Sequence, residues 1–181
     1  MISLDLSCVQ RDDRRDNTRF EDCIAVQTAK LIAIGETTVA VKPIPDGYSS
    51  VTPFLSVKGA AKLIDFLKQA FGAEEVMRMP GPGDVVMHAE VNVGNSRLML
   101  SEAMQTPPSQ SSFYLYVNDA DAMYKRALTA GATSVMEPTD QFWGDRMATV
   151  RDPFGNSWSV ATHKEEVSPE EMAKRMAKLA N

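Results

Sequence analysis

Three places in this 181-residue chain carry side chains with the chemistry of proton transfer or ligand binding. His88 and Glu90 stand two residues apart inside Val85–Val93, an alternating run that reads as a strand, so both fall on one face. An imidazole beside a carboxylate is a general acid/base pair, because imidazole titrates near neutral pH. The same two residues also read as the polar side of a half-solvated strand, bonded to each other or to Arg97. The other histidine, His163, follows the run Ser157–Thr162, and with His88 and Glu90 it would make a displaced three-ligand metal set if those strands converge. Trp143-Gly144-Asp145-Arg146 reads in two ways. It is a cavity lid, with Trp143 stacking on a ligand and Arg146 holding an anion, or Asp145 and Arg146 form a structural ion pair at a strand start.

Composition bounds what those groups can serve. Nineteen basic against 24 acidic residues give a net charge of −5, which argues against a nucleic-acid or anionic-membrane partner. No apolar run approaches the ~18 residues of a bilayer span. Cys8 and Cys23 make no disulfide framework. A chain of this length buries enough surface to fold as one domain or two small modules sharing a core.

The elements that must position the candidates come as a repeat. Gly72-Ala73-Glu74-Glu75-Val76-Met77 recurs as Gly131-Ala132-Thr133-Ser134-Val135-Met136, Met87 as Met147, and Gly94-Asn95-Ser96 as Gly155-Asn156-Ser157, in one order at nearly one spacing. Each copy parses as βαβββ. In the first, strand Val51–Val57 precedes helix Gly59–Phe71, which Gly72 stops; strand Glu75–Met79, a Pro/Gly turn, strand Val85–Val93 and strand Arg97–Ser101 follow. In the second, the strands are Phe113–Val117, Ser134–Glu137, Arg146–Arg151 and Ser157–Thr162, with a helix over Asp121–Ala130. Asp152-Pro153-Phe154-Gly155 has the residues of a type I turn. Ser168-Pro169-Glu170-Glu171 opens a C-terminal helix with Met172, Met176 and Leu179 on one face, a packing stripe toward this chain or a twin subunit.

Residues 1–38 read differently. They hold both cysteines, none of the ten prolines and a mixed charge run, Arg11–Asp16. They are expected to be a poorly ordered or mis-assigned N-terminal extension, with Val39 as a candidate biological start. No signal-peptide pattern is present, so a cytoplasmic location is expected.

Two βαβββ modules with Asp152-Pro153-Phe154-Gly155-Asn156 before the last strand resemble the vicinal oxygen chelate superfamily, over about residues 42–164. That superfamily includes glyoxalase I, bleomycin and fosfomycin resistance proteins, and extradiol dioxygenases. Val51-Thr52-Pro53-Phe54-Leu55, Met87-His88-Ala89-Glu90, Gln141–Arg146 and Ala161-Thr162-His163-Lys164 look closer to a bacterial glyoxalase-like branch similar to phosphonate-operon proteins. The resemblance implies an α+β fold, two modules (48–103 and 112–164, within 39–164) forming open barrel-like sheets around a cavity, plus a C-terminal helix over 165–181. It also implies a homodimer.

In enzymes of the superfamily, a divalent metal is held by His, Gln or Glu from the first and fourth strands of the modules. The matching positions are Thr52, Met99, Ser112 and Ser159, which are poor ligands for Mg²⁺, Mn²⁺, Zn²⁺ or Ni²⁺. No metal and no cofactor are therefore expected. Strand parity places Phe54, Arg97, Met99, Tyr114, Tyr116 and His163 around the cavity with His88 and Glu90, and Met87, Ala89, Val91 and Val93 under the helices. The expectation is a small-molecule binder of the bleomycin-resistance type, sequestering a drug or toxic metabolite. Phe54, Met99, Tyr114, Tyr116 and Trp143 would enclose the ligand, and Arg97, Arg146, His163, His88 and Glu90 would orient it. The competing expectation is a lyase, isomerase or dioxygenase using a displaced metal, or His88 and Glu90 as catalytic acid and base. A structural or regulatory dimer without ligand is the third.

Overall fold

The computed structural model describes residues 41–83, 85–104 and 107–179. The expectation for residues 1–38 lies outside the described residues. Elements run β1 (Phe54–Val57), α1 (Ala60–Phe71), β2 (Glu74–Pro80), β3 (Val86–Val93), β4 (Ser96–Glu102), β5 (Ser112–Tyr116), α2 (Ala120–Thr129), β6 (Thr133–Asp140), β7 (Asp145–Arg151), β8 (Ser157–His163) and α3 (Pro169–Leu179). They build two four-stranded sheets of identical plan, β1-β4-β3-β2 and β5-β8-β7-β6. In each, the first strand lies parallel to the fourth and the other pairs are antiparallel. The duplication expected from sequence is therefore a duplication of topology.

Alternation along the strands decides what each sheet buries. Leu55, Val57, Ala89, Val91, Leu98 and Leu100 from the first sheet and Ala148, Val150, Trp158 and Val160 from the second are buried in one core with Leu63, Ile64, Leu67 and Phe71 of α1. The modules meet in this core. Phe71 packs on Trp158 with ring centroids 4.7 Å apart, and Phe113 stacks on the same indole at 4.3 Å. Arg126 of α2 donates to the Gln69 carbonyl of α1 at 3.0 Å. Among the described residues, α1 and α2 both pack on this core side, away from the opposite face of each sheet.

Both helices begin on a group supplied by the end of a module's last strand. The Glu102 carboxylate accepts from the backbone N–H of Gly59 (2.9 Å) and Ala60 (3.0 Å), a negative charge at the N-terminus of α1. At α2 the Thr162 hydroxyl accepts from Ala120 N–H at 2.9 Å, and the Asp119 side chain from Ala122 N–H at 2.9 Å.

Several expectations are corrected. The first strand starts at Phe54, not Val51, so Thr52 lies before it, bonded to the Ser49 carbonyl at 3.1 Å. β6 continues to Asp140, and Gln141–Gly144 is the turn of a β6–β7 hairpin, closed by Gln141 N–H to the Asp145 carbonyl at 2.7 Å. Met87 does not lie under the helices. The β2–β3 register slips between Met79 opposite His88 and Pro80 opposite Val86, a bulge that turns Met87 outward over Gly81 and buries Val86 instead. On α3, Met172 is half-buried and Met176 exposed. The helix is tied down by Arg175, which bonds the Phe142 carbonyl and Glu165.

The turn before β8 is held by Asp152, 4% exposed. One carboxylate oxygen accepts from the backbone N–H groups of Phe154 and Asn156, each at 2.9 Å. The other accepts from Asn156 Nδ2 (2.8 Å) and Trp158 Nε1 (3.0 Å), while Asn156 Oδ1 takes the N–H of Ser111. Asp152→Asn would aim an amide N–H₂ at two donors. It should lower stability by about 2–4 kcal/mol, measured as a lower urea midpoint at unchanged slope.

Candidate functional site

The helix-free face of each sheet is organised around one buried carboxylate. On the first sheet this is Glu90, in a row across four strands: Phe54 pairs with Met99, Met99 with Glu90, and Glu90 with Met77. Glu90 is 7% exposed. It accepts from Tyr48 Oη at 2.5 Å, from Arg97 Nη1 at 2.6 Å and, through its second oxygen, faces His88 Nε2 at 3.3 Å. Arg97 Nε donates to Asn92 Oδ1 at 2.8 Å, and the His88 ring lies stacked toward Phe54 at 6.2 Å. Burial opposes ionisation of Glu90, but the hydrogen bonds from Tyr48, Arg97 and His88 outweigh it and hold its carboxyl below the usual range.

On the second sheet the carboxylate is Asp145, 3% exposed. One oxygen accepts from Tyr114 Oη (2.8 Å), Trp143 Nε1 (3.1 Å) and Tyr116 Oη (3.2 Å); the other takes His163 Nδ1 at 2.9 Å. Here too burial opposes the charge and the donors, His163 foremost, win, so Asp145 stays ionised below the ordinary aspartate range. Burial and the Asp145 carboxylate push the Tyr114 phenol up. Bonded to Asp145 and, through Nε2, to the exposed Glu166 at 3.2 Å, His163 has its pKa raised from 6.5.

The candidates thus fall into two clusters, one per module. Phe54, His88, Glu90, Arg97 and Met99 share the first face; Tyr114, Tyr116 and His163 share the second, where Trp143 reaches Asp145 from the hairpin turn. Arg146 belongs to neither. Adjacent strand residues point to opposite faces, so Arg146 lies on the helix side, bonded to Asp121 (2.5 and 2.8 Å) and Asp140 (3.1 Å). The Asp145–Arg146 ion pair is excluded by the same parity. His88, Glu90 and His163 do not converge, and among the described residues no group of three His, Cys, Asp or Glu is arranged to hold a metal ion.

The family's metal positions were tested by their donors. Thr52 bonds backbone, Ser159 Oγ pairs with Thr149 Oγ1 at 3.2 Å, Ser112 is exposed, and Met99 offers a thioether. Hydroxyls and a thioether do not fit a hard divalent ion, which needs carboxylate or imidazole donors.

Two residues of the clusters were missed from sequence. Asp145 is out of step with the apolar Ala148 and Val150, the buried side of β7, and that parity places it on the open face. Tyr48 precedes β1, and no periodicity signals it.

Fold and site together define a duplicated βαβββ protein whose open sheet faces each set polar and aromatic side chains around a buried carboxylate. A sequence model of the Glyoxalase/Bleomycin resistance protein/Dioxygenase superfamily matches residues 49–160, and the chain belongs to that superfamily. It is 38% identical over 140 residues to an uncharacterized protein of Mycobacterium bovis, covering 71% of this chain and 92% of that protein. Among solved structures it is similar to TioX from Micromonospora sp. ML1, with a TM-score of 0.53 and 24% identity over 62% of this chain and 98% of that one. An Arabidopsis thaliana gene product aligns at 0.52 and 28% identity, over 63% and 98%. Among the described residues no helix is long and apolar enough to cross a membrane.

The His163 assignment has a pH signature. A raised folded pKa contributes stability that is full below the unfolded value near 6.5 and is lost as pH rises through the folded value. The stability gap between the wild type and His163→Gln should therefore be full at pH 6 and shrink as pH rises past 6.5 through the raised folded value. Asp145→Asn should bring the His163 titration, followed by NMR, back toward its ordinary value, because Asp145 is the larger cause of the shift.

Proposed function

We propose that the protein binds a small organic molecule against these helix-free sheet faces, without a divalent metal, in a homodimer whose second copy covers them. The observation that carries this reading is the exposed aromatic and thioether surface beside fully bonded carboxylates. Phe54 is 53% exposed, Tyr114 46% and Tyr116 62%, with Met77 and Met79 also open. Large aromatic groups lining an open polar face are ligand or partner surface more often than idle surface. Phe54, Met99 and the neighbouring methionines supply an adaptable apolar wall, Tyr114, Tyr116 and Trp143 an aromatic one, and Arg97 and His163 positive charge. Sequestration of a drug-like or toxic metabolite in the cytoplasm is the biological role this chemistry serves. The net charge of −5 fits a partner that is not nucleic acid.

A second reading has one observation in its favour. Asp145 holds His163 through Nδ1, leaving Nε2 opposed only by exposed Glu166 among the bonds it makes. An oriented imidazole of this kind can donate and accept a proton, the step of a lyase or isomerase.

The test is sedimentation of the full chain, then thermal shift against metals and a library of aromatic metabolites. A dimer is expected, Mg²⁺, Mn²⁺, Fe²⁺, Ni²⁺ and Zn²⁺ should leave the Tm unchanged, and a true ligand at 100 times its Kd should add ~2.7 kcal/mol of stability. Phe54→Ala and Tyr116→Ala should weaken that ligand at least tenfold. A metal that binds stoichiometrically and raises the Tm would overturn the reading. Turnover of a bound compound, abolished in His163→Ala, would replace it with the second.

A further inference from the structure

We propose that the Glu90–Arg97 pair is a recognition site for a hydroxyaryl group, and that Tyr48 occupies it as the chain's own stand-in when no ligand is bound. The inference deepens the small-molecule reading, on which it rests, by naming the ligand class.

Residues 44–50 form a strap ahead of β1. All of them are exposed except Tyr48, which is half-buried. The Tyr48 hydroxyl donates to Glu90 Oε2 at 2.5 Å, and the Arg97 guanidinium carbon sits 4.7 Å from the centre of its ring. A phenol is thus read twice, through its hydroxyl by an ionised carboxylate and through its face by a cation. The strap crosses directly over this pair. A Cβ added to Gly47 would stand 3.0 Å from Arg97 Nη2, and Gly47 has a positive φ of 84°.

The pair does not depend on Tyr48 for its own geometry. Arg97 is fixed from the sheet by Asn92 and Glu90, and Glu90 keeps Arg97 and His88 if the phenol leaves. What lies beside the phenol site is suited to the rest of an aromatic molecule. Phe54 is exposed with His88 stacked toward it, and Met99 and Met77 flank Glu90 in register. In the second module the carboxylate Asp145 also takes phenols, those of Tyr114 and Tyr116, but these are built into β5. Only in the first module does the phenol come from a segment outside the sheet. Lifting the strap leaves a carboxylate without its hydroxyl donor and a guanidinium with an uncovered face, next to apolar floor. A hydroxylated aromatic ring restores both contacts.

The experiment uses the full chain and 4-methylphenol, with toluene as the ring lacking a hydroxyl, followed by NMR titration. Tyr48→Ala should bind 4-methylphenol at least tenfold more tightly than the wild type does, with toluene showing no such gain. Adding Glu90→Gln to that variant should remove the gain. A folded Tyr48→Ala protein with no gain, an equal gain for toluene, or a gain that survives Glu90→Gln would overturn the proposal. If Tyr48→Ala does not fold, Tyr48→Phe removes the hydroxyl alone; severalfold tighter binding of 4-methylphenol supports the proposal, and unchanged binding overturns it. The two readings separate cleanly. A library ligand whose affinity ignores Tyr48→Phe and Glu90→Gln keeps the small-molecule function and ends this inference. A gain in Tyr48→Ala, with no ligand found for the wild type, does the reverse.

Discussion

A carboxylate withdrawn from water must be met by enough donors to replace its hydration, and that requirement organises this protein. Among the described residues three acids are nearly fully buried, Glu90, Asp145 and Asp152, and each is met by named donors. Asp152 uses its four bonds to lock the turn that feeds β8, so it shapes the core around Trp158. Glu90 and Asp145 spend theirs on the helix-free faces. Because their oxygens are already engaged by phenols, an indole, a guanidinium and imidazoles, these acids are fixed charges around which a surface is arranged.

The two modules share a plan and differ in chemistry. Glu102 and Thr162 stand at equivalent ends of β4 and β8 and each satisfies the first N–H groups of its own module's helix, one with a charge and one with a hydroxyl. Phe54 beside Met99 on the first sheet corresponds to Tyr114 beside Ser159 on the second. The first face is therefore apolar around an acid–guanidinium pair, and the second is rich in hydroxyls around an acid–imidazole pair.

Membership of the glyoxalase and dioxygenase superfamily supplies the scaffold but not the chemistry, since function resides in the side chains placed on a fold. Here the positions matched to the metal ligands of its enzymes hold a threonine just ahead of β1, a methionine and two serines. The sheets keep their shape because their stability comes from the shared helix-facing core, which those positions do not enter.

Much of the fold was legible in the residues. Period-two alternation gave the two faces of β1, β4, β5 and β8 and of β3 from His88 onward, and the spaced repeat gave the two modules, because a side chain's face follows from its parity wherever the ladder is regular. Parity failed at Met87, where a bulge beside Pro80 shifts the count by one, and Arg146, expected to orient a ligand, shares the parity of buried Ala148 and Val150 and lies on the helix side. What sequence alone determined here is local: strand faces, helix stops at Gly72 and Gly131, and the absence of metal donors at four positions. Tertiary structure decided which distant groups meet. Tyr48 reaches Glu90 across 42 residues and Tyr114 reaches Asp145 across 31, and no local pattern encodes such pairings, because they arise only when parallel and antiparallel strands fold back to one face.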